Sequence, residues 1–444
     1  MEEFSLSKYN FYIEYKHEED RIIYFNGISR AIFSANKNEH NFFQHQFLNI
    51  DSLKKKYPTL FEYFVSNLFI IETNFDEIGY IKYLNNKDIF LDTSYRVMIN
   101  PTLECNFKCW YCYEKHPNGY MSDEIQNKII KHLEFVAKYR CINHVDLSWF
   151  GGEPLLYFNS IVYPLSSVLK EIAVKNSLKF TNHATTNAYL IDHGMVEKFK
   201  DISLDSFQIT IDGDERKHNS IRNENGDPSF KKIIYNINLI CKEINSAHII
   251  LRINYDNNTL RGILPLFEMF PSKYRNKITI SLHRVWQTIT ETNKNHPEYA
   301  SEFNQTLKKA SELGYHISHA DNVPKLFRRC HCDKYWNTEV NYDGKIFKCT
   351  MDYSEETQGE FLSNGDIKWG NNLISNMYGR ATFDNEKCIL CKLLPICLGP
   401  CSRSNLKNIS CVNNATYCNM DDSEISYKDI IINYYMEKKT MRLL

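Results

Sequence analysis

No apolar run in this sequence extends beyond a few residues, far short of a bilayer span. The first residues, MEEFSLSKYN, are acidic and lack an apolar h-region, so no secretory signal is expected and cytoplasm is the expected location. Neither sign of charge is in surplus: 53 basic and 54 acidic side chains give a formal net charge of −1. That balance gives no reason to expect nucleic acid, a membrane or a basic partner. Internal repeats and low-complexity segments are missing too. What is present is a chain of 444 residues, 43% of them hydrophobic, a length that suits two or three domains.

Cysteine is abundant and unevenly placed. Of 14, three lie within residues 105–112 and nine within 330–418. In a reducing compartment, clustered cysteines more often hold metal or iron–sulfur clusters than disulfides. Cys141 and Cys241 stand alone and read as small buried hydrophobes.

The pattern changes twice along the chain. Residues 1–95 read as a small α+β domain. Its strand-like runs are Phe11–Tyr15 and Arg21–Phe25, followed by the turn Asn26-Gly27. A helical stretch is expected around Leu53–Asn67, then an extended pair, Leu68–Ile71 and Tyr80–Tyr83. Residues 96–320 alternate strand and helix six times. Strands are expected at 97–99, Val145–Trp149, Phe180–Thr185, Phe207–Ile211, Ile249–Ile253 and Ile278–Leu282. Ser122-Asp123-Glu124 opens a helix whose stripe is Ile125, Ile129, Leu133 and Val136. Further helices are expected at Phe230–Ile244 and Glu298–Leu313. Such repeats predict an α/β fold with a parallel sheet, open or closed, and chemistry at the C-terminal ends of its strands. In residues 321–444, Lys325–Cys418 reads as a metal-nucleated module with little core of its own, and Ile425–Tyr435 as a helix.

Cys105-x3-Cys109-x2-Cys112 follows the first strand of the array. Three thiolates on a short loop can hold three irons of a cubane cluster and leave the fourth open. The alternative is a zinc site, with His116 as the fourth ligand. The spacing resembles the radical S-adenosylmethionine (SAM) superfamily. Tyr111 matches the aromatic that packs near adenine there. Gly151, Gly152 and Glu153, with Pro154, resemble the GGEP motif that receives the amino group of SAM. Thr186-Asn187-Ala188 resembles Thr-Asn-Gly, with alanine as a departure that weakens what carries over to Asn187. Thr210, ahead of Asp212-Gly213, matches a hydroxyl facing SAM, although Asp-Gly is also a plain turn. Arg222 and Arg252 are candidates for the SAM carboxylate; either can instead be a structural ion pair.

Cys330-His331-Cys332, Gly344-x4-Cys349, and Cys388-x2-Cys391-x5-Cys397-x3-Cys401, with Cys411 and Cys418, resemble the SPASM domain of radical SAM peptide-modifying enzymes. The resemblance covers about residues 96–425 and implies three [4Fe-4S] clusters and SAM as cofactors. Cys105, Cys109 and Cys112 would hold the SAM cluster. Cys330, Cys332, Cys349 and Cys401 would hold auxiliary cluster I. Cys388, Cys391 and Cys397 with Cys418 would hold auxiliary cluster II, and Cys411 is the alternative to Cys418. Two structural zinc ions are the competing reading.

The implied fold is a partial (β/α)6 radical SAM barrel with an N-terminal small α+β domain and a C-terminal cysteine-rich iron–sulfur domain. The implied reaction is reductive cleavage of SAM to a 5′-deoxyadenosyl radical that abstracts hydrogen from the substrate. The 95 residues before the barrel resemble, by layout, a winged leader-recognition element; a decorative stabilising domain is the alternative. The expected activity is that of a peptide maturase installing a crosslink or an oxidation. Its partners would be a ribosomally made precursor peptide and an electron donor such as flavodoxin or ferredoxin. The alternatives are a maturase of a protein active-site residue and a non-catalytic metal-stabilised binding protein.

Overall fold

The computed structural model describes residues 3–15, 21–256, 259–288, 297–318, 329–351, 356–380, 382–399, 402 and 426–440. The chain forms two compact units, one of residues 1–91, 323–330 and 376–444, the other of 92–322 and 331–375.

The larger unit is built on one sheet. Six strands, Ser94–Ile99, His144–Trp149, Lys179–Thr186, Leu204–Asp212, His248–Tyr255 and Ile278–Arg284, lie in chain order, each parallel to the next. Helices run between them, among them Asp123–Tyr139, Tyr163–Lys175, His193–Asp201 and Phe230–Glu243. This is the partial (β/α)6 arrangement, with each expected strand present and most of them a few residues longer. Beyond the first strand, Asn337–Val340 adds in parallel, and Ile346–Phe347 turns back antiparallel. Side-chain alternation sorts the faces. Leu147, Trp149, Phe207, Ile209 and Ile211 are buried in the main core. Ser148, Gln208, Thr210, Arg252 and Asn254 alternate with such residues and give the other face polar groups for a ligand. Ser122 caps its helix, accepting from the Ile125 amide at 3.4 Å, as the sequence predicts.

In the smaller unit, strands Asn10–Tyr15, Arg21–Asn26 and Ile32–Asn36 form an antiparallel sheet in that order. Both faces are covered. Tyr24 and Ala35 pack with Phe47, Leu53, Phe61 and Phe64 of the helices Lys37–Phe47, Ile50–Lys56 and Pro58–Ser66. Phe11, Ile13, Tyr15, Ile23 and Phe25 pack with Ile396 and with Ile431 and Tyr435 of the helix Tyr427–Thr440. Residues 1–91 therefore share their core with the C-terminal region rather than standing alone.

Two expectations are corrected. Tyr80–Tyr83 is not extended: it lies in the helix Glu77–Phe90, whose N-terminus Asp76 caps by accepting from the Gly79 amide at 2.9 Å. An exposed Tyr pair at i, i+3 is a helix-surface spacing, and the cap settles it. Cys141 is exposed, not a buried hydrophobe, while Cys241 is buried as expected. Among the described residues no helix is long and apolar enough to cross a membrane.

Candidate functional site: a cysteine loop above a parallel sheet

The cysteine loop joins the first barrel strand to the helix Asp123–Tyr139, and its own polar groups fix its course. Thr102 donates through Oγ1 to the Gly119 carbonyl at 2.6 Å and accepts from the Glu104 amide at 2.9 Å. The Glu104 carboxylate accepts from the Gly119 amide at 2.7 Å and from Tyr157 Oη at 3.3 Å. His116 binds through Nδ1 to the Leu103 carbonyl at 2.8 Å. Phe107, between the first two cysteines, is buried in the main core with its ring 5.5 Å from that of Tyr189.

Gly151-Gly152-Glu153 packs directly on this loop. Gly151 sits at φ +102°, and a Cβ there would overlap the Thr102 carbonyl. At Gly152 a Cβ would overlap the carbonyls of Leu103 and Glu104. In this structure the glycines thus admit the backbone of the cysteine loop itself. Glu153 is fully buried. It accepts from Thr186 Oγ1 and the Asn187 amide, both at 2.7 Å, and from the Leu155 amide at 3.0 Å. Burial pushes its carboxyl up to about 7; the hydrogen bonds and Arg222 pull the other way. Asn187 Nδ2 donates to Asn106 Oδ1 at 2.7 Å, which ties the Thr-Asn-Ala turn to the loop. Ala188, standing where the motif has glycine, adopts φ +61°.

Tyr111 centres the third group. Its hydroxyl donates to the Asp212 carboxylate at 2.6 Å and accepts from Arg222 Nη2 at 2.9 Å and Asn254 Nδ2 at 3.0 Å. Arg222 Nε pairs with Asp212, and both side chains are largely buried. Asp212-Gly213 is therefore a turn, with Gly213 at φ +60°, and also an ion-pair partner. Thr210 sits opposite Arg252 in the ladder, and Arg252 Nε donates to Asn254 Oδ1 at 3.1 Å. A small cavity of about 10 Å³ lies beside Tyr111, lined by Trp110, Asp212, Asn254, Tyr255 and Thr259 among others. Asp212 as a partner, Asn254, Glu104 and Thr186 are absent from the sequence-based site. Thr186 and Asp212 lie inside quoted motifs; Asn254 and Glu104 carry no sequence mark.

Cys105 and Cys109 are half-buried and Cys112 is exposed. Burial, then the Glu153 carboxylate, pushes the Cys105 thiol up to about 12; burial also raises Cys109 and Cys112. Against this, the Phe107 amide donates to Cys105 Sγ at 3.4 Å, and the Arg222 charge favours the Cys109 thiolate. A place that resists free thiolates but supplies an amide and a cation suits sulfur bound to metal, so the residues fit an iron–sulfur cluster.

Of the C-terminal cysteines, Cys332 is buried, and Cys330, Cys349, Cys388, Cys391 and Cys397 are half-buried. Cys401, Cys411 and Cys418 lie outside the described residues. Ligand atoms of Cys330, His331 and Cys332 lie within 4.8 Å of one another. The Leu393 amide donates to Cys391 Sγ at 3.3 Å.

Comparison with known proteins adds three findings. The chain is similar to a serine-type anaerobic sulfatase-maturating enzyme of Bacteroides thetaiotaomicron, 30% identical over 156 residues, which are 33% of this chain and 36% of that protein. The fold is similar to that of native anSMEcpe with bound AdoMet and Cp18Cys peptide, at TM-score 0.52, 18% identity and coverage of 79% and 98%. It is also similar to that of Streptococcus suis SuiB bound to precursor peptide SuiA, at TM-score 0.51, 14% identity and coverage of 90% and 95%. Residues 99–264, which hold the cysteine loop, the Gly-Gly-Glu turn and the Tyr111 group, match the Radical SAM superfamily, and the chain carries a radical SAM domain.

Proposed function

We propose that this chain is a radical SAM/SPASM peptide maturase that acts on a ribosomally made precursor peptide and installs a crosslink or an oxidation. The observation that carries the reading is the cysteine loop, at the C-terminal end of the first barrel strand, locked onto the Gly-Gly-Glu turn. Cys105, Cys109 and Cys112 would hold a [4Fe-4S] cluster with one open iron. When bound, the cluster and SAM supply an electron and a 5′-deoxyadenosyl radical that takes hydrogen from the substrate. The residues of the chain orient and shield. Glu153 and Asn187 hold the loop, Tyr111 and Asp212 wall the neighbouring cavity, and Thr210, Arg222 and Arg252 supply polar groups on the sheet side. Cys330, Cys332 and Cys349 with Cys401, and Cys388, Cys391 and Cys397 with Cys418 or Cys411, would hold two auxiliary clusters. Flavodoxin or ferredoxin is the proposed donor class.

The three-stranded sheet of the smaller unit is where a leader would bind. Both of its faces are covered, and among the described residues its outer strands have no further strand partner, so an extended peptide would add at an edge. The second reading is maturation of a protein active-site residue, favoured by the likeness to the sulfatase-maturating enzyme.

The test is anaerobic reconstitution of the full chain, with iron, sulfide and deoxyadenosine assays, beside the variant with Cys105, Cys109 and Cys112 all changed to Ala. Expected are about three four-iron clusters in the parent. The variant should lose one cluster and all SAM cleavage. Deoxyadenosine formed by the variant would overturn the radical site, and a colourless zinc protein would overturn the cluster reading. Binding of a precursor encoded beside the gene would decide between the two substrate classes.

A further inference from the structure

Lys348 immediately precedes Cys349 and is 2% exposed. Its Nζ donates to the carbonyls of Tyr335 and Asn337, both at 2.7 Å. The same Nζ stands 4.1 Å from the ring centre of Trp369 and 5.5 Å from that of Tyr335. The main chain is fixed as well: its amide donates to Gln358 Oε1 at 2.8 Å and its carbonyl accepts from Asn337 Nδ2 at 3.0 Å. Among the described residues no carboxylate pairs with it. The two carbonyls that hold it follow directly on the turn His331–Asp333, which carries the buried Cys332.

An ammonium ion taken out of water against carbonyls and aromatic faces recovers only part of its hydration energy. Burial of that kind is tolerated where a counter-charge completes it. Cys349 follows Lys348 directly, Cys332 lies on the turn just before the carbonyls that hold the ammonium, and a four-iron cluster on thiolate ligands carries net negative charge. We propose that Lys348 is a positioning residue whose ammonium supplies the built-in counter-charge for an anionic iron–sulfur centre ligated by Cys332 and Cys349. The proposal rests on the auxiliary-cluster reading above and adds the residue that sets the charge balance of that centre. Two consequences follow from electrostatics alone. Without the cluster, Lys348 is a liability; with it, an asset. Because reduction adds negative charge, a fixed cation beside the centre favours its reduced form.

The experiment compares the full-length chain with Lys348→Met, each without iron and after anaerobic reconstitution. The SAM-cluster cysteines are changed to Ala in both, so that auxiliary signals are seen alone. Iron content, thermal melting and a redox titration followed by electron paramagnetic resonance are read. Iron-free Lys348→Met should melt above the iron-free parent, the order should reverse after loading, and one auxiliary centre should titrate at a more negative potential. A parent that loads no auxiliary iron overturns the cluster reading and this proposal with it. A parent that loads normally, beside a variant with an unmoved potential, overturns this proposal alone. So does an iron-free variant that melts lower or fails to fold, which would make Lys348 a packing and hydrogen-bonding plug.

Discussion

The loop of Cys105, Cys109 and Cys112 is held by polar groups of the chain: Thr102, Glu104, His116 and Asn106 each bond across it or to a neighbouring turn. The segment of Cys388, Cys391 and Cys397 is held differently. Its two helices have 5 and 4 residues, too short to persist on their own. Its anchors are apolar: Leu394 and Leu398 pack with Tyr9, Ile28 and Ile81, and Ile396 with the hairpin strands. One region carries a hydrogen-bonded cradle made by the chain itself. The other has side chains fixed in a core while its backbone bonds stay within short turns, such as Cys391 to Cys388 and Cys397 to Leu393, so on the proposed function an auxiliary cluster would complete it.

Removing metal should split the two regions most widely. After chelation of the reconstituted chain, amides in 386–399 should lose most of their hydrogen-exchange protection. Those of Glu104, Gly119, Gly152 and Glu153, all bonded within the chain, should keep theirs. Equal loss in both segments would show that the SAM-side cradle also depends on its cluster, and the contrast would fall.

A smaller effect sharpens the polar half of the contrast. Asp212→Asn leaves the Arg222 guanidinium buried beside Tyr111 without its counter-charge. Breaking a buried pair by removing one partner costs about 3–5 kcal/mol. Denaturant unfolding should show that loss, and Arg222→Met added to Asp212→Asn should recover part of it. The exposed pair Glu124–Lys128 is the control, since surface pairs at that spacing contribute about 0.3–0.5 kcal/mol. Similar small losses at both sites would mean that Asp212 only shapes a turn.

These two regions were also unequally legible in the sequence. The barrel strands could be read because apolar residues alternate under helices and each strand is followed by its helix. The cysteine spacing and the Gly-Gly-Glu turn were visible as strings, but what the glycines touch was not, since Thr102–Glu104 come near them only after the sheet forms. The Asp212–Arg222 pair was open to two readings because side-chain direction around a turn is not in the string. The hairpin strand Ile32–Asn36 and the helix Lys37–Phe47 were missed, and Tyr80–Tyr83 was misread, because short segments rich in Asn, Phe and Tyr suit either period. Nothing marks Lys348 as buried: a lysine before a cysteine looks like a solvated residue until Trp369 and Tyr335 close over it.

The smallest effect concerns Ala188, the one departure from the Thr-Asn-Gly pattern. Its φ of +61° is left-handed, a conformation that costs a residue with a Cβ roughly 1–2 kcal/mol. Glycine would remove that cost. It would also remove a fully buried methyl, about 0.8 kcal/mol, and give the unfolded chain freedom that costs about 0.4–1 kcal/mol. The opposing contributions nearly cancel, so Ala188→Gly should leave the denaturation midpoint almost unmoved. The turn should also keep its shape, because the chain fixes it from three sides. The Ala188 amide donates to Thr186 Oγ1 at 3.0 Å, the Tyr189 amide to Asn187 Oδ1 at 2.9 Å, and Asn236 Nδ2 to the Ala188 carbonyl at 2.8 Å. Cluster loading and SAM cleavage should therefore stay at parent levels. A clear stabilisation would show strain that the cradle had not offset. A loss of SAM cleavage with stability unchanged would show that the Ala188 methyl shapes the cofactor site, and that hydrogen bonds alone do not fix this side of the molecule.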